Sequence, residues 1–170
     1  VNAVAAMEVD GRPLALTGGG DDMVRGMVRV WDLLSQREVG DPLIGHTLSV
    51  NAVATSEVDG NPLAVTGSLD GTVRVWDLLS RRQVGEPLMR HAGRDPMVAT
   101  TNLNGRALAL FAGEDPTVRV WDLASKTCLP TLQLAERPKC AVTALDSTVV
   151  LGMGYEVIAL KMRPDFRRRT

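Results

Sequence analysis

The chain has 170 residues, a formal charge of −1 from 19 basic and 20 acidic side chains, and two cysteines. A balance so close to zero supplies no overall field to draw nucleic acid or an anionic membrane. Two cysteines, Cys128 and Cys140, make no disulfide framework, which leaves a cytoplasmic setting as the expectation, and no run of roughly 18 apolar residues exists to cross a membrane as a helix.

Taken in chain order, the first predicted strand is Val1 to Ala5, and Asp10-Gly11 is its turn. Gly18-Gly19-Gly20-Asp21-Asp22 follows, in a stretch about four residues longer than its counterpart later in the chain. A phosphate-binding loop of that composition needs a strand before it and a helix after it. Here the strand Val28-Arg29-Val30-Trp31 follows instead, so the stretch reads as an acidic surface loop. The same order then recurs. Asn51 to Thr55 and Leu63 to Thr66 flank Asp59-Gly60-Asn61-Pro62, a hairpin signal because both turn residues tolerate positive φ. Asp70-Gly71 turns the chain into Thr72 to Leu78, and Arg82 to Leu88 carries Gly85 and Pro87, residues suited to an outer edge strand.

Val-Arg-Val-Trp-Asp ends at Asp32, Asp77 and Asp122, so the period is 45 residues. All three tryptophans of the chain occupy this slot, as Trp31, Trp76 and Trp121. His46 and His91, the only histidines, are 45 apart as well, as are Asp70 and Asp115. A fourth, degenerate repeat reads as strands Ala141 to Leu145, Thr148 to Leu151 and Glu156 to Lys161, without Trp-Asp. The period predicts an all-β fold of four-stranded antiparallel blades, three complete and one with three strands. Their bounds fall at about 1–45, 46–90, 91–135 and 136–162, with a basic tail over 163–170. The tail contains Arg163, Arg167, Arg168 and Arg169 but a single aromatic, Phe166, and reads as a solvated terminus.

On these residues the chain resembles the WD-repeat β-propellers, as a partial propeller. Arginine outnumbers lysine 16 to 3, a bias that gives the likeness a bacterial, actinomycete-type cast. The resemblance implies a hydrogen-bonded set of His, hydroxyl, Asp and Trp across a blade. By position the set in the second repeat is His46, Thr66, Asp70 and Trp76. The third has His91, Asp115 and Trp121, with Phe111 in place of the hydroxyl and Arg90 in place of the Gly45 that precedes His46. The first has Thr17, Trp31 and Asp21 or Asp22. Arg29, Arg74 and Arg119 share a face with each tryptophan by strand alternation, and are expected to pack between blades.

The same resemblance implies a protein-interaction scaffold and no enzyme. A partner surface is expected at the propeller end that includes Asp21, Thr47, Leu48, Leu69, Arg90, Arg94 and Glu114. No nucleophile–base pair emerges, and neither histidine has a second His or Cys at metal-ligand spacing. No catalytic residue, metal or cofactor is therefore expected. The partners are expected to be proteins, with no membrane and with nucleic acid not favoured, and further blades if the chain is a piece of a longer propeller. An alternative is the regulatory or sensor C-terminal portion of a larger bacterial signalling protein with an NTPase, kinase or protease domain. An open row of blades should also leave apolar faces uncovered. Those expected are Val28, Val30 and Leu16, or their opposite-face neighbours, in the first blade and some of Val149, Leu151, Val157, Ile158 and Leu160 in the fourth.

Overall fold

A computed structural model describes residues 1–20, 25–90, 96–143, 148–154 and 156–161. Its elements are all strands, grouped in four antiparallel sheets that form a partial β-propeller. The first sheet runs β1 (Ala3–Val9), β2 (Arg12–Gly20) and β3 (Gly26–Asp32), with β4 (Arg37–Glu38) and β5 (Leu43–His46) both paired to β3. The second repeats this with β6 (Val50–Val58), β7 (Asn61–Ser68), β8 (Thr72–Asp77), β9 (Arg82–Gln83) and β10 (Met89–Arg90). The third contains β11 (Met97–Leu103), β12 (Arg106–Ala112), β13 (Thr117–Asp122), β14 (Thr127–Cys128) and β15 (Leu132–Gln133). The fourth has three strands, β16 (Pro138–Thr143), β17 (Thr148–Met153) and β18 (Glu156–Lys161).

Each outer strand is thus one strand broken into two short pieces. The break falls at Gly40-Asp41-Pro42 and Gly85-Glu86-Pro87, where both glycines have positive φ, and at Pro130 in the third sheet. Proline cannot donate to the ladder, so pairing stops and resumes beyond it. The inner hairpins turn at Asp10-Gly11, Asp59-Gly60 and Asn104-Gly105, with φ positive at both residues of each pair. That is the primed turn whose twist suits a two-residue hairpin.

Strand alternation gives each blade two faces, and the blades stack so that apolar faces meet. Leu16, Val28 and Val30 pack with Val50, Val53, Ala64 and Trp76 of the second blade. Val65, Val73 and Val75 pack with Val98, Ala109 and Phe111 of the third. Leu108, Leu110, Val118 and Val120 pack with Val149 and Leu151 of the fourth. Fully burying a side chain of this size contributes about 1.5–3 kcal/mol. Of the residues expected on the open ends, Leu16, Val28, Val30, Val149 and Leu151 are buried between blades, which leaves the opposite-face alternative for the first blade and Val157 for the fourth. The outward faces hold their strand neighbours instead. In the first blade these are Met27, Arg29 and Trp31, and in the fourth Val142, Val150 and Val157.

The inner strands are joined by a repeated side-chain bond. Thr55 Oγ1 donates to the Ala6 carbonyl, Thr100 Oγ1 to that of Thr55, and Thr143 Oγ1 to that of Thr100. One threonine in each of the second, third and fourth blades therefore reaches back to the blade before it.

Candidate functional site

His46 ends β5, so it belongs to the sheet of the first blade, while Thr66, Asp70 and Trp76 belong to the second. The set therefore joins two neighbouring blades instead of crossing one, because the outer strand carrying Gly45-His46 remains paired to β3. Trp76 Nε1 donates to Thr66 Oγ1 at 2.8 Å, Thr66 Oγ1 lies 2.8 Å from His46 Nε2, and His46 Nδ1 lies 3.0 Å from Asp70 Oδ2.

The chemistry of the partners orients this chain. An indole N–H can only donate, so Thr66 accepts from Trp76 and directs its own proton to Nε2. His46 is then neutral with its proton on Nδ1, which donates to the Asp70 carboxylate. Burial lowers the pKa of His46 and outweighs the opposing pull of the Asp70 carboxylate. The contact is thus a hydrogen bond of a neutral imidazole, despite its salt-bridge distance. Burial alone would raise the carboxyl pKa of Asp70. Bonds from the Thr72 hydroxyl and the amides of Thr47 and Thr72 reverse this and hold it below the usual carboxylate range.

Gly45 has a distinct requirement. A Cβ on it would stand 2.9 Å from Trp76 Cη2 and 3.2 Å from Arg74 Nη1. The outer strand of one blade can therefore pass close over the tryptophan of the next only with glycine there.

The other two repeats hold parts of the set. Trp31 Nε1 donates to Thr17 Oγ1 at 2.9 Å in the first blade. In the third, Phe111 is fully buried and stacks on Trp121 with ring centroids 6.2 Å apart. Trp121 Nε1 has no hydrogen-bond partner among the described residues. Asp115 pairs with Arg119 at 3.0 Å and accepts the Thr117 amide. Asp21, His91 and Arg94 lie outside the described residues, and of Arg90 only the backbone, within β10, is described.

The repeated arginines turn out to be held mainly within their own blades. Arg29 pairs with Glu38 at 2.6 Å, Arg74 donates to Gln83, and Arg119 binds Asp115. Each long side chain has a partner within its own sheet, and Arg74 also lies close against the preceding blade, at Gly45.

Two functions escaped sequence reasoning. Asp32, Asp77 and Asp122, the aspartates of Trp-Asp, each accept two successive amides of the following turn. Asp77 also accepts from Asn61, and Asp122 from Arg106. Ser68 and Thr72 brace Asp70, whose amide donates to Ser68 Oγ and whose Oδ1 accepts from Thr72 Oγ1. Their signal was available, since an Asp two and three residues before unpaired amides is an Asx turn.

The loops flanking this network form one surface. Thr47 N–H donates to Asp70 Oδ2, Ser68 Oγ to the Leu48 carbonyl, and Leu69 N–H to the Ser49 carbonyl. Thr47 and Glu114 are exposed, and Leu48 and Leu69 half-buried. Among the described residues no group of three or more His, Cys, Asp or Glu could hold a metal ion, and no helix is long and apolar enough to cross a membrane.

The family model described as WD domain, G-beta repeat, matches residues 38–77. Over those residues the chain is similar to a WD repeat. Its bounds start in the outer strand of the first blade and end at Asp77 of the second, the same offset that lets His46 bridge two sheets. No curated protein matches the chain. Among solved structures, that of the computationally designed Ika4 protein has a TM-score of 0.71 and 21% identity, covering 95% of this chain and 91% of that one. A likeness at that identity is one of fold.

Proposed function

We propose that this WD-repeat chain is a protein-interaction scaffold that presents the end of its blades bearing Thr47, Leu48, Leu69 and Glu114 to a protein partner. The supporting observation is the cross-bracing of the 47–49 and 69–71 loops through Asp70 and Ser68. Loops held by a rigid scaffold lose little entropy when a partner docks, and their side chains vary without disturbing the sheets. The setting proposed is cytoplasmic, and the role is binding without catalysis.

Affinity capture from a lysate with three forms of the chain tests the reading. Leu69→Asp alters this end, whereas Asp59→Lys alters a hairpin tip between β6 and β7. Partners retained by the parent and by Asp59→Lys but lost with Leu69→Asp are expected, with unchanged circular dichroism for all three. Equal capture by both variants would place the binding surface elsewhere.

A further inference from the structure

A recess of about 350 Å³ opens where the inner strands approach their hairpins, at the end of β6 opposite the 47–49 loop. Three blades line it, with Thr55 and Glu57 of the second, Thr100, Thr101 and Asn102 of the third, and Thr143 of the fourth. Its volume falls within the range of small-ligand clefts, about 300–1,000 Å³. Three of its hydroxyls share one polarity. Thr55, Thr100 and Thr143 each donate to a carbonyl of the preceding blade, a group that can only accept. A hydroxyl has a single proton, so these oxygens offer a ligand nothing but lone pairs. Glu57 is exposed beside them. Glu8 is exposed at the matching position of the first blade, two residues beyond Ala6 as Glu57 is beyond Thr55. Arg12 and Arg106, which begin β2 and β12 at this end, are balanced by Asp32 and Asp122. The wall of the recess also contains an orphan. Thr101 is 5% exposed, and its Oγ1 has no hydrogen-bond partner. Buried hydroxyls are nearly always paired, so this one calls for a partner that enters the recess.

We propose that the recess binds an arginine side chain of a basic peptide segment from another protein. A guanidinium carries five N–H donors in a fixed plane and no acceptor. It is the complement of an acceptor lining spread over three blades. One edge meets Glu57 in a charge-assisted hydrogen bond, and the other N–H groups donate to the threonine oxygens, Thr101 Oγ1 among them. The compact ammonium of lysine gathers its three donors at one point and spans fewer of these acceptors. A divalent ion is a poorer match, because no group of three or more His, Cys, Asp or Glu among the described residues could hold one.

Nuclear magnetic resonance of the isotope-labelled full chain, titrated with the end-blocked tripeptide Gly-Arg-Gly, tests the site. The amide resonances of Thr100, Thr101 and Asn102 should shift in a saturable way in the millimolar range. A tripeptide with citrulline for arginine keeps the shape without the charge and should leave them in place, as should calcium chloride at the same concentration. The lysine tripeptide should bind more weakly than the arginine one. Glu57→Gln should weaken the arginine tripeptide about tenfold, the factor for one charge-assisted hydrogen bond. Thr101→Val should weaken it too without lowering the unfolding midpoint, since the hydroxyl removed is unpaired in the free chain. No saturable shift, equal binding of the citrulline or lysine tripeptide, saturation by calcium, or an affinity that either substitution leaves unchanged overturns the proposal. The recess lies at the opposite end of the blades from Leu69, so these readouts succeed or fail independently of the loop surface.

Discussion

His46 shows how far one side chain determines a joint. Its ring touches Thr66 and Asp70 of the next blade while its own strand stays bonded to β3. Trp76, only 2% exposed, anchors the other end. Trp76→Ala should therefore cost about 3–5 kcal/mol, the usual range for truncating a buried tryptophan. Thr47→Ala should stay within about 0.5 kcal/mol, because Thr47 contributes a backbone amide that alanine keeps. Denaturant midpoints of the two variants check this, and similar small shifts would show that the tryptophan does not hold the blades. The titration of the same residues has a definite sign. His46 and Asp70 both have folded pKa values below their ordinary 6.5 and 3.8. The unfolded chain then binds protons at a higher pH than the folded one, so stability is greatest above about pH 6.5 and declines as pH falls. A first decline belongs to His46 and a second, below 3.8, to Asp70 together with Asp32, Asp77 and Asp122, whose carboxyls are also held below their ordinary range. His46→Gln should lose the first decline and retain the second, as followed by urea midpoints across the acid range. An unaltered first decline would mean that His46 is not the group responsible.

At the scale of the element, the hairpins and the Val-Arg-Val-Trp strands were legible because their determinants are local. Asp10-Gly11 and Asp59-Gly60 state their backbone conformation outright, and alternation of Val with Arg states the face. The turns that enter β4, β9 and β14 were not legible in the same way. They place Gln36, Arg81 and Lys126 at positive φ, residues that announce no such conformation, and the aspartate of Trp-Asp compensates by binding two turn amides. The offset between repeat and blade was hidden too, since a period of 45 does not say where to cut it. Asp122 offers the sharpest test of the turn. It is buried, it accepts the Ala124 and Ser125 amides, and Arg106 donates to it from β12. Asp122→Ala leaves the amides and the guanidinium without their acceptor, a loss of about 1–3 kcal/mol for a buried group. Arg106→Ala, which removes the more exposed member of the same pair, should cost under about 1 kcal/mol. Thermal unfolding of both variants gives the comparison, and a larger cost for Arg106→Ala would assign the role of Asp122 to the ion pair.

For the whole molecule, the decisive property is that the blades stack in a row with two faces left over. The sequence predicts open faces but leaves their side unsettled, naming either face of the first blade and residues of both faces in the fourth, because alternation fixes which residues share a face and not which face meets the neighbour. The fourth blade presents Val142 at 63% exposure and Val157 at 72%, with Val150 between them on β17. Beyond them the outer edge of β18 carries no strand among the described residues, whereas β3, β8 and β13 each hold two short outer pieces. A bare edge beside an apolar face is a template for pairing with another chain. The first blade offers a face of different character, with Arg29 and the Trp31–Thr17 pair. The chain in isolation should therefore self-associate through the fourth blade in preference to the first. Light scattering against concentration should show a mass above that of one chain of 18.3 kDa. Val142→Lys with Val157→Lys should return it to the single-chain mass, since both positions are already exposed and the charges disturb no core. The paired change Val4→Lys with Ile44→Lys, at exposed sites of the first blade, should leave association intact. A monodisperse parent chain, or association unmoved by the valine changes, would show that the apolar face of the fourth blade is not what holds copies together.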